Sequence, residues 1–318
     1  MSAATIISVG ELRVEFVSHA KGCALSELTA FSGPYPGGAA AILLDQAARI
    51  GARTKVFGGI GEDGFGCALV ERLAQSGVDT SGIALHSDKA TGVAFVSEFD
   101  DGSRSRISHV NNTAAEWAGK VVPALPSTGL LLHVSSASLI NARLRALILT
   151  VCDEVLARGG RISCDLDVGP ELMAAPKAIE ALHRVMASSS ILFCGSCDLA
   201  LLYPGKSEED AVASLRSAGA DIIAHKRGAD GAVVLHGDAR YDFTGHDVEE
   251  VDPSGAGDAF CGTFLAMFTQ GHSVEIAGRY ANAAGALAVG KRGPMEGNSS
   301  PHELDTLLSG QQPERMRA

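Results

Sequence analysis

Aromatic side chains are scarce in this 318-residue chain: Phe, Tyr and Trp make up 5% of it, with a single Trp. That weighs against a large aromatic-lined pocket of the kind that grips a nucleoside or a vitamin. Positive charge is also short, with 26 Lys and Arg against 37 Asp and Glu and a formal net charge of −11. A duplex nucleic-acid groove depends on Lys and Arg, so nucleic acid is not an expected partner; a small anion held by a few local groups is not excluded. No apolar run approaches the ~20 residues that span a bilayer, and residues 1–10 lack a basic stretch followed by a long apolar one. Neither a membrane segment nor a secretory signal is expected. The seven cysteines are odd in number and sit mostly among apolar neighbours, which argues against a disulfide framework and for a reducing cytoplasm.

Glycine is what the chain has in excess: 37 residues, about 12% against a usual ~7%. There is no G-x-y period, so these glycines belong in turns and where backbone closes on backbone or ligand. Short apolar runs at Thr5–Val9, Thr54–Ile60, Leu130–Val134, Arg161–Leu166, Ser190–Cys194 and Ile222–Lys226 read as buried strands. Helical stretches separate them, at Ala39–Ile50, Phe65–Ser76, Ala142–Ala157, Lys177–Ala187 and Glu208–Ser217. Two more helices, Gly257–Gln270 and Val274–Val289, close the core, and Trp117 is expected at a helix start in the core. The pattern predicts an α/β fold: an open, mostly parallel central sheet with helices on both faces. Leu12–Val17, Thr29–Phe31, Thr91–Phe99 and Arg104–Val110 alternate instead, the last two joined by an Asp101-Gly102 turn, and Pro36-Gly37-Gly38 breaks the earlier pair. These predict a small β lid over 12–35 and 91–111, with 1–11, 36–90 and 112–318 forming the core.

Chemistry concentrates at Val251-Asp-Pro-Ser-Gly-Ala-Gly-Asp258, which runs into an apolar helix. Gly255, Ala256 and Gly257 place small residues at a helix N-terminus, where unpaired N–H groups attract an anion. Asp258 in the first turn suits a general base that takes a proton from a hydroxyl about to attack phosphorus. The plainer reading is a carboxylate that complements the helix dipole. No Gly-Lys-Ser/Thr follows, so this is not a P-loop, and Gly58-Gly59-Ile60-Gly61 lacks the dinucleotide spacing.

Gly255–Asp258 with Asp252 upstream resembles the C-terminal signature of the ribokinase-like (pfkB) carbohydrate kinases. Gly37-Gly38-Ala39 through Gly51, then Gly58–Gly66, resembles the N-terminal one, and Gly10-Glu11, Glu15, Thr91-Gly92-Val93 and Lys226-Arg-Gly228-Ala-Asp-Gly231 fit the same pattern in order. The resemblance implies ATP-dependent phosphorylation of a sugar hydroxyl, with Mg2+, a monovalent cation such as K+ as a further candidate, and a homodimer paired through the lid. It implies Asp258 as base and the 255–257 amides as anion hole. Glu11, Glu15, Gly37, Gly38, Ile42, Arg104, His109 and Asp165 would then lie at the sugar. Asp198, Lys226, Gly228, Gly231, Asp252 and Asn282 would lie on the nucleotide side, with Asp252 ordering the loop.

The departures bear on the substrate. Ile42 stands where the family has Asn, Asp165-Leu-Asp167-Val-Gly169 lacks an Asn and an Arg, Gly195-Ser-Cys-Asp198 keeps one carboxylate, and Pro253-Ser254 replaces two Thr. The Gly10-Glu11 and Lys226-Arg227-Gly228 segments look like the branch with 2-keto-3-deoxygluconate and ketohexose kinases. Arg104 and Arg106 could meet a sugar acid, but Ser108–Asn112 suits neutral hydroxyls, so a neutral ketohexose or related polyol is expected. A sugar-acid kinase and a non-catalytic sugar-binding relative remain the alternatives.

Cys194-Gly-Ser-Cys197 has the spacing of half a zinc site, but no second pair follows and no protein metal site is expected. These four read as small loop residues. Glu62–Gly66 reads as a tight turn beneath the substrate, and His133 and His225 as packed, hydrogen-bonded histidines.

Overall fold

The computed structural model describes residues 4–99, 104–116, 125 and 129–310. The chain runs through β1 (Thr5–Val9), β2 (Arg13–Ser18), β3 (Phe31–Gly37), α1 (Ala39–Arg49), β4 (Arg53–Gly61), α2 (Gly64–Ser76) and β5 (Asp79–His86). Next come β6 (Gly92–Glu98), β7 (Arg104–His109), β8 (Leu130–Ser135), α3 (Ala142–Ala157), β9 (Arg161–Asp165), α4 (Pro170–Met173) and α5 (Pro176–Ser188). Then follow β10 (Ile191–Gly195), α6 (Ser196–Leu202), α7 (Glu208–Ser217), β11 (Ile222–Lys226), β12 (Ala232–His236) and β13 (Ala239–Phe243). The helices α8 (Ala256–Thr269), α9 (Val274–Ala288) and α10 (Pro301–Leu308) complete the order.

A nine-stranded sheet has the order β13-β12-β11-β10-β9-β8-β1-β4-β5. Every pairing from β11 to β5 is parallel, and β12 and β13 add an antiparallel edge. Helices cover both faces, which is why these strands are apolar at consecutive positions. Ile6 packs with Leu43, Phe264 and Leu265 on one face, whereas Ile7 packs with Leu132, Ile148 and Leu182 on the other. The sheet grows one way from β1 through β4 and the other way through β8. Ligands of open α/β sheets bind at such a reversal, beyond the carboxyl ends of the strands.

The second sheet has the order β3-β2-β6-β7. Phe16 of β2 stacks on Phe95 of β6 at 5.3 Å and meets Phe65 of α2 edge-on at 5.9 Å, so aromatic packing seats the sheet on the body. Helix α1 is buried all round from Ala40 to Ala47 rather than along one stripe. Its buried Asp45 is satisfied by Arg49 (2.8 Å), Arg72 (3.1 Å) and Asn298 (2.8 Å).

Four expectations change. β3 does not stop at Pro36 but continues to Gly37; it is an edge strand, where a missing N–H breaks no ladder. β5 was unexpected, because an edge strand with no fully buried position lacks the apolar signal of its neighbours. The Gly195–Asp198 stretch is no loop: α6 begins at Ser196, and the Asp198 carboxylate accepts the Gly195 N–H at 2.6 Å. The turn at Glu62–Gly66 lies under β6, where Asp63 accepts the Thr91 N–H and hydroxyl, each at 2.8 Å, and it does not line the small polar cavity described below. The Asp101-Gly102 turn and Trp117 lie outside the described residues.

Candidate active site

Helix α8 starts from Gly255, whose φ of 78° is left-handed and whose Cβ, had it one, would stand 2.1 Å from the Pro294 carbonyl oxygen. Only glycine fits both demands. Asp252 holds the approach: its Oδ1 accepts the Ser254 N–H at 2.9 Å and its Oδ2 the Gly293 N–H at 2.8 Å. The first-turn N–H groups of α8 have no carbonyl four residues back within the helix. That of Ala256 is 3.3 Å from the Pro253 oxygen.

Two cavities meet at this turn. One, of about 60 Å³, is lined by Glu11, Arg13, Glu15, Arg106, Asp167 and Asp258 among others, with Ile42 and Gly255 in its wall. β2 directs Arg13 and Glu15 to one face, as strand alternation requires. Arg13 is bonded to Glu15 by Nε (3.0 Å) and Nη2 (2.8 Å), and by Nη1 to Glu11 (3.3 Å). Burial and the nearby Asp167 and Asp165 carboxylates push the Asp258 carboxyl well above the usual range, against the pull of Lys226 and Arg13. A carboxylate so raised is the stronger proton acceptor.

The other cavity, of about 380 Å³, lies between the end of β11, the segment that follows β13, the start of α8 and the C-terminal half of α9. Lys226, Gly228, Gly231, Ala256, Gly257 and Asn282 line it, with Phe260, Ala286 and Val289 forming an apolar wall. Asn282 Nδ2 donates to the Thr244 carbonyl at 2.8 Å. At Gly231, φ is 90° and a Cβ would stand 2.0 Å from the Phe243 oxygen. Lys226 Nζ makes a buried pair with Asp165, 2.8 and 2.7 Å from its two oxygens.

Several expected residues sit elsewhere. Asp165 lines neither cavity, because Lys226 and Cys261 cover its carboxylate. His109 is not at the small cavity: it lies an odd number of residues from Arg106 along β7, which puts it on the opposite face. Asp198 faces neither cavity; its oxygens accept the N–H groups of Val168 (2.7 Å) and Gly195 (2.6 Å), and burial, with Asp165 nearby, lifts it to about 6. Gly37 and Gly38 back the cavity instead of lining it: a Cβ at 37 would stand 3.0 Å from the Glu15 side chain, and one at 38 would stand 2.2 Å from the Glu11 oxygen. Asp252 works behind the loop, and Pro253 lines the cavity in its place. Arg104 is in β7, but its side chain lies outside the described residues.

Arg13 was missed, although its Glu-x-Arg-x-Glu alternation with Glu11 and Glu15 was a visible signal. Ser254, which directly precedes the Gly255–Asp258 signature, was noted only as a departure, and Ser138 and Pro294 were missed, with nothing local to mark them. His133 is buried, its Nδ1 3.0 Å from the Ser163 hydroxyl, and burial, with Lys226 nearby, pushes it down to about 3. His225 is buried beside the Ser196 hydroxyl at 3.3 Å.

An open α/β sheet with a small second sheet, and a helix N-terminus between a small polar cavity and a larger one, define a ribokinase-like kinase of small molecules. The chain belongs to the pfkB family of carbohydrate kinases, whose profile matches residues 3–301. It is 29% identical to fructokinase-1 of Oryza sativa subsp. japonica over 315 residues, covering 95% of this chain and 96% of that one. It is 30% identical to 2-dehydro-3-deoxygluconokinase of Thermoproteus tenax over 272 residues, 82% of each chain. An E. coli protein described as a ribokinase II, solved in complex with ATP and Mg2+, superposes with a TM-score of 0.88 at 34% identity, over 97% of this chain and 100% of that one. The chain is thus a sugar kinase of the pfkB type. No helix among the described residues is long and apolar enough to cross a membrane.

Proposed function

We propose that the chain transfers the γ-phosphoryl group of ATP to a hydroxyl of a neutral ketohexose or related polyol, with Asp258 as general base. The observation that carries this reading is the start of α8. Asp258 faces the small cavity, while Ala256 and Gly257, one turn of the same backbone, face the large one. A hydroxyl in the first and a phosphate in the second would meet across that turn. Asp258 takes the hydroxyl proton, and the amides of Gly255 and Gly257, with the positive end of α8, receive the charge that builds on the phosphoryl oxygens. Lys226 adds a fixed positive charge on the nucleotide side.

Bound ATP supplies the phosphoryl group, and Mg2+ would be held chiefly by its phosphates and water. Among the described residues, no group of three His, Cys, Asp or Glu side chains is placed to hold a metal ion. A monovalent cation such as K+ is a further requirement to test in the assay buffer. The second sheet, acting as a lid, would exclude water that competes for the phosphoryl group. Its edge strand β7 carries Ile107, 45% exposed, which suits a homodimer paired through that edge. The need for ATP fits a compartment that holds it, such as the cytoplasm.

Charge in the small cavity supports the neutral sugar. Glu11, Glu15, Asp167 and Asp258 face two cations, and Arg13 is already held by Glu11 and Glu15. Carboxylates accept hydrogen bonds from sugar hydroxyls but repel a sugar acid. The acid reading is favoured by the similarity to a 2-dehydro-3-deoxygluconokinase and by Arg106, the one cation among the described cavity residues that Glu11 and Glu15 do not hold. The test is ADP release with ATP·Mg2+ on ketohexoses, aldohexoses, polyols and sugar acids. Turnover on a neutral class, reduced by about 10²–10⁴ in Asp258→Asn, is expected. Turnover only on sugar acids overturns the substrate, and turnover unchanged in the variant overturns the mechanism.

A further inference from the structure

Asp165 stands at the carboxyl end of β9, 3% exposed and reached by neither cavity. Both its oxygens take the Lys226 ammonium, at 2.8 and 2.7 Å, and its Oδ2 also accepts from the Cys261 thiol at 3.4 Å. Cys261 lies three residues after Asp258, hence on the same side of α8. The carboxylate is thereby locked between β11 and α8. Lys226 does reach a cavity: it lines the large one, and its Nζ stands 3.2 Å from where a Cβ on Gly257 would be. Among the described residues lining that cavity, Lys226 is the one lysine or arginine, so phosphate charge arriving there has one fixed cation to meet.

An ammonium has three N–H donors on a flexible four-carbon stem. Two are spent on Asp165, and the Cys261 sulfur lies 3.9 Å from the same nitrogen, so the ammonium is held in place beside Gly257 and the stem is kept from sampling other rotamers. We infer that Asp165 is a positioning residue for the nucleotide: it holds the Lys226 ammonium charged and aimed at the phosphates beside Gly257, and it does not contact the sugar. This rests on the phosphotransfer reading only for its kinetic arm. Burial opposes the Lys226 charge, but Asp165, Cys261 and Asp198 together outweigh it and keep the ammonium protonated far above the lysine range. Asp165 is the largest of these favourable partners, so its loss leaves a buried amine with little reason to stay charged.

The experiment titrates the full chain with a non-hydrolysable ATP analogue, which needs no knowledge of the sugar. Asp165→Asn and Lys226→Met are each expected to weaken binding by about tenfold. The double variant should be within about twofold of the weaker single one, because both substitutions remove one interaction. Binding in Asp165→Asn within about threefold of the parent, or losses that add in the double variant, would overturn the inference. Should Asp165→Asn melt at assay temperature, Asp165→Glu keeps the charge; analogue binding as poor in Glu as in Lys226→Met would equally count against it. In the kinetic arm, Asp165→Asn is expected to carry its loss in the ATP KM and kcat, with the sugar KM unchanged. A raised sugar KM with nucleotide binding intact returns Asp165 to the sugar. Analogue binding by an enzyme inactive on every sugar would overturn the phosphotransfer reading and leave this inference to the titration.

Discussion

Asp258 owes its basicity to neighbours as much as to its place on α8. Burial and then the Asp167 carboxylate head the causes that lift it, and Asp167 lies in the same cavity with a backbone φ of 28°. A base must be deprotonated to act, so activity should fall as pH drops through the raised Asp258 value, above the ordinary carboxylate range. Replacing Asp167 by Asn removes one lifting charge, so the acid limb of kcat/KM should move to lower pH. A pH–rate profile of the two proteins checks this; an unmoved limb would mean that Asp167 is too well solvated to be felt. At this scale the sequence was informative where chemistry is local. Asp258 and Gly255 sit in a signature whose spacing places them at a helix start. The Asp165–Lys226 pair was not legible because its members are 61 residues apart, and no local pattern reports an ion pair across a sheet.

At the scale of elements, apolar texture made most of the sheet readable, since strands covered on both faces are apolar throughout. Texture failed where burial is partial or residues are small. β5 alternates weakly at the sheet edge, and α6 begins in Ser-Cys-Asp, which reads as a turn until Asp198 caps it. The strands of the second sheet were visible as alternating segments, yet the face each presents depends on register, and so His109 was placed at the sugar although it does not line the small cavity. The start of α8 is the element most exposed to a single change. Gly255→Ala forces a side chain onto a left-handed φ, about 1–3 kcal/mol by itself, and into the Pro294 oxygen 2.1 Å away. Chemical denaturation should show at least that loss, and turnover should fall further than stability does, because the displaced turn carries both the amides and Asp258.

For the molecule as a whole, the large sheet and the small second one could be anticipated, but neither the size of the two cavities nor the charge of the smaller one could. The charge arises because Glu11 and Glu15, Asp167 and Asp258 converge from three separate segments. Ligands that bind only the folded chain stabilise it by mass action, by ~2.7 kcal/mol at one hundred times Kd. A thermal-shift screen should therefore show melting points raised by neutral ketohexoses or polyols together with an ATP analogue, and unmoved by sugar acids. A rise with sugar acids alone would reassign the substrate.

The central place of β1 shapes how the chain is made. Thr5 pairs with Arg53 on one side and Leu130 on the other, so the first strand synthesised waits for its second neighbour until some 125 residues later. One face of β1 waits longer still, since Ile6 is covered by Phe264 and Leu265 of α8. A nascent chain thus carries an apolar, half-paired strand through most of its translation. Ribosome-associated chaperones are the natural guardians of such a segment, and a message broken before the codons for α8 would yield a product with a sticky core and no active site.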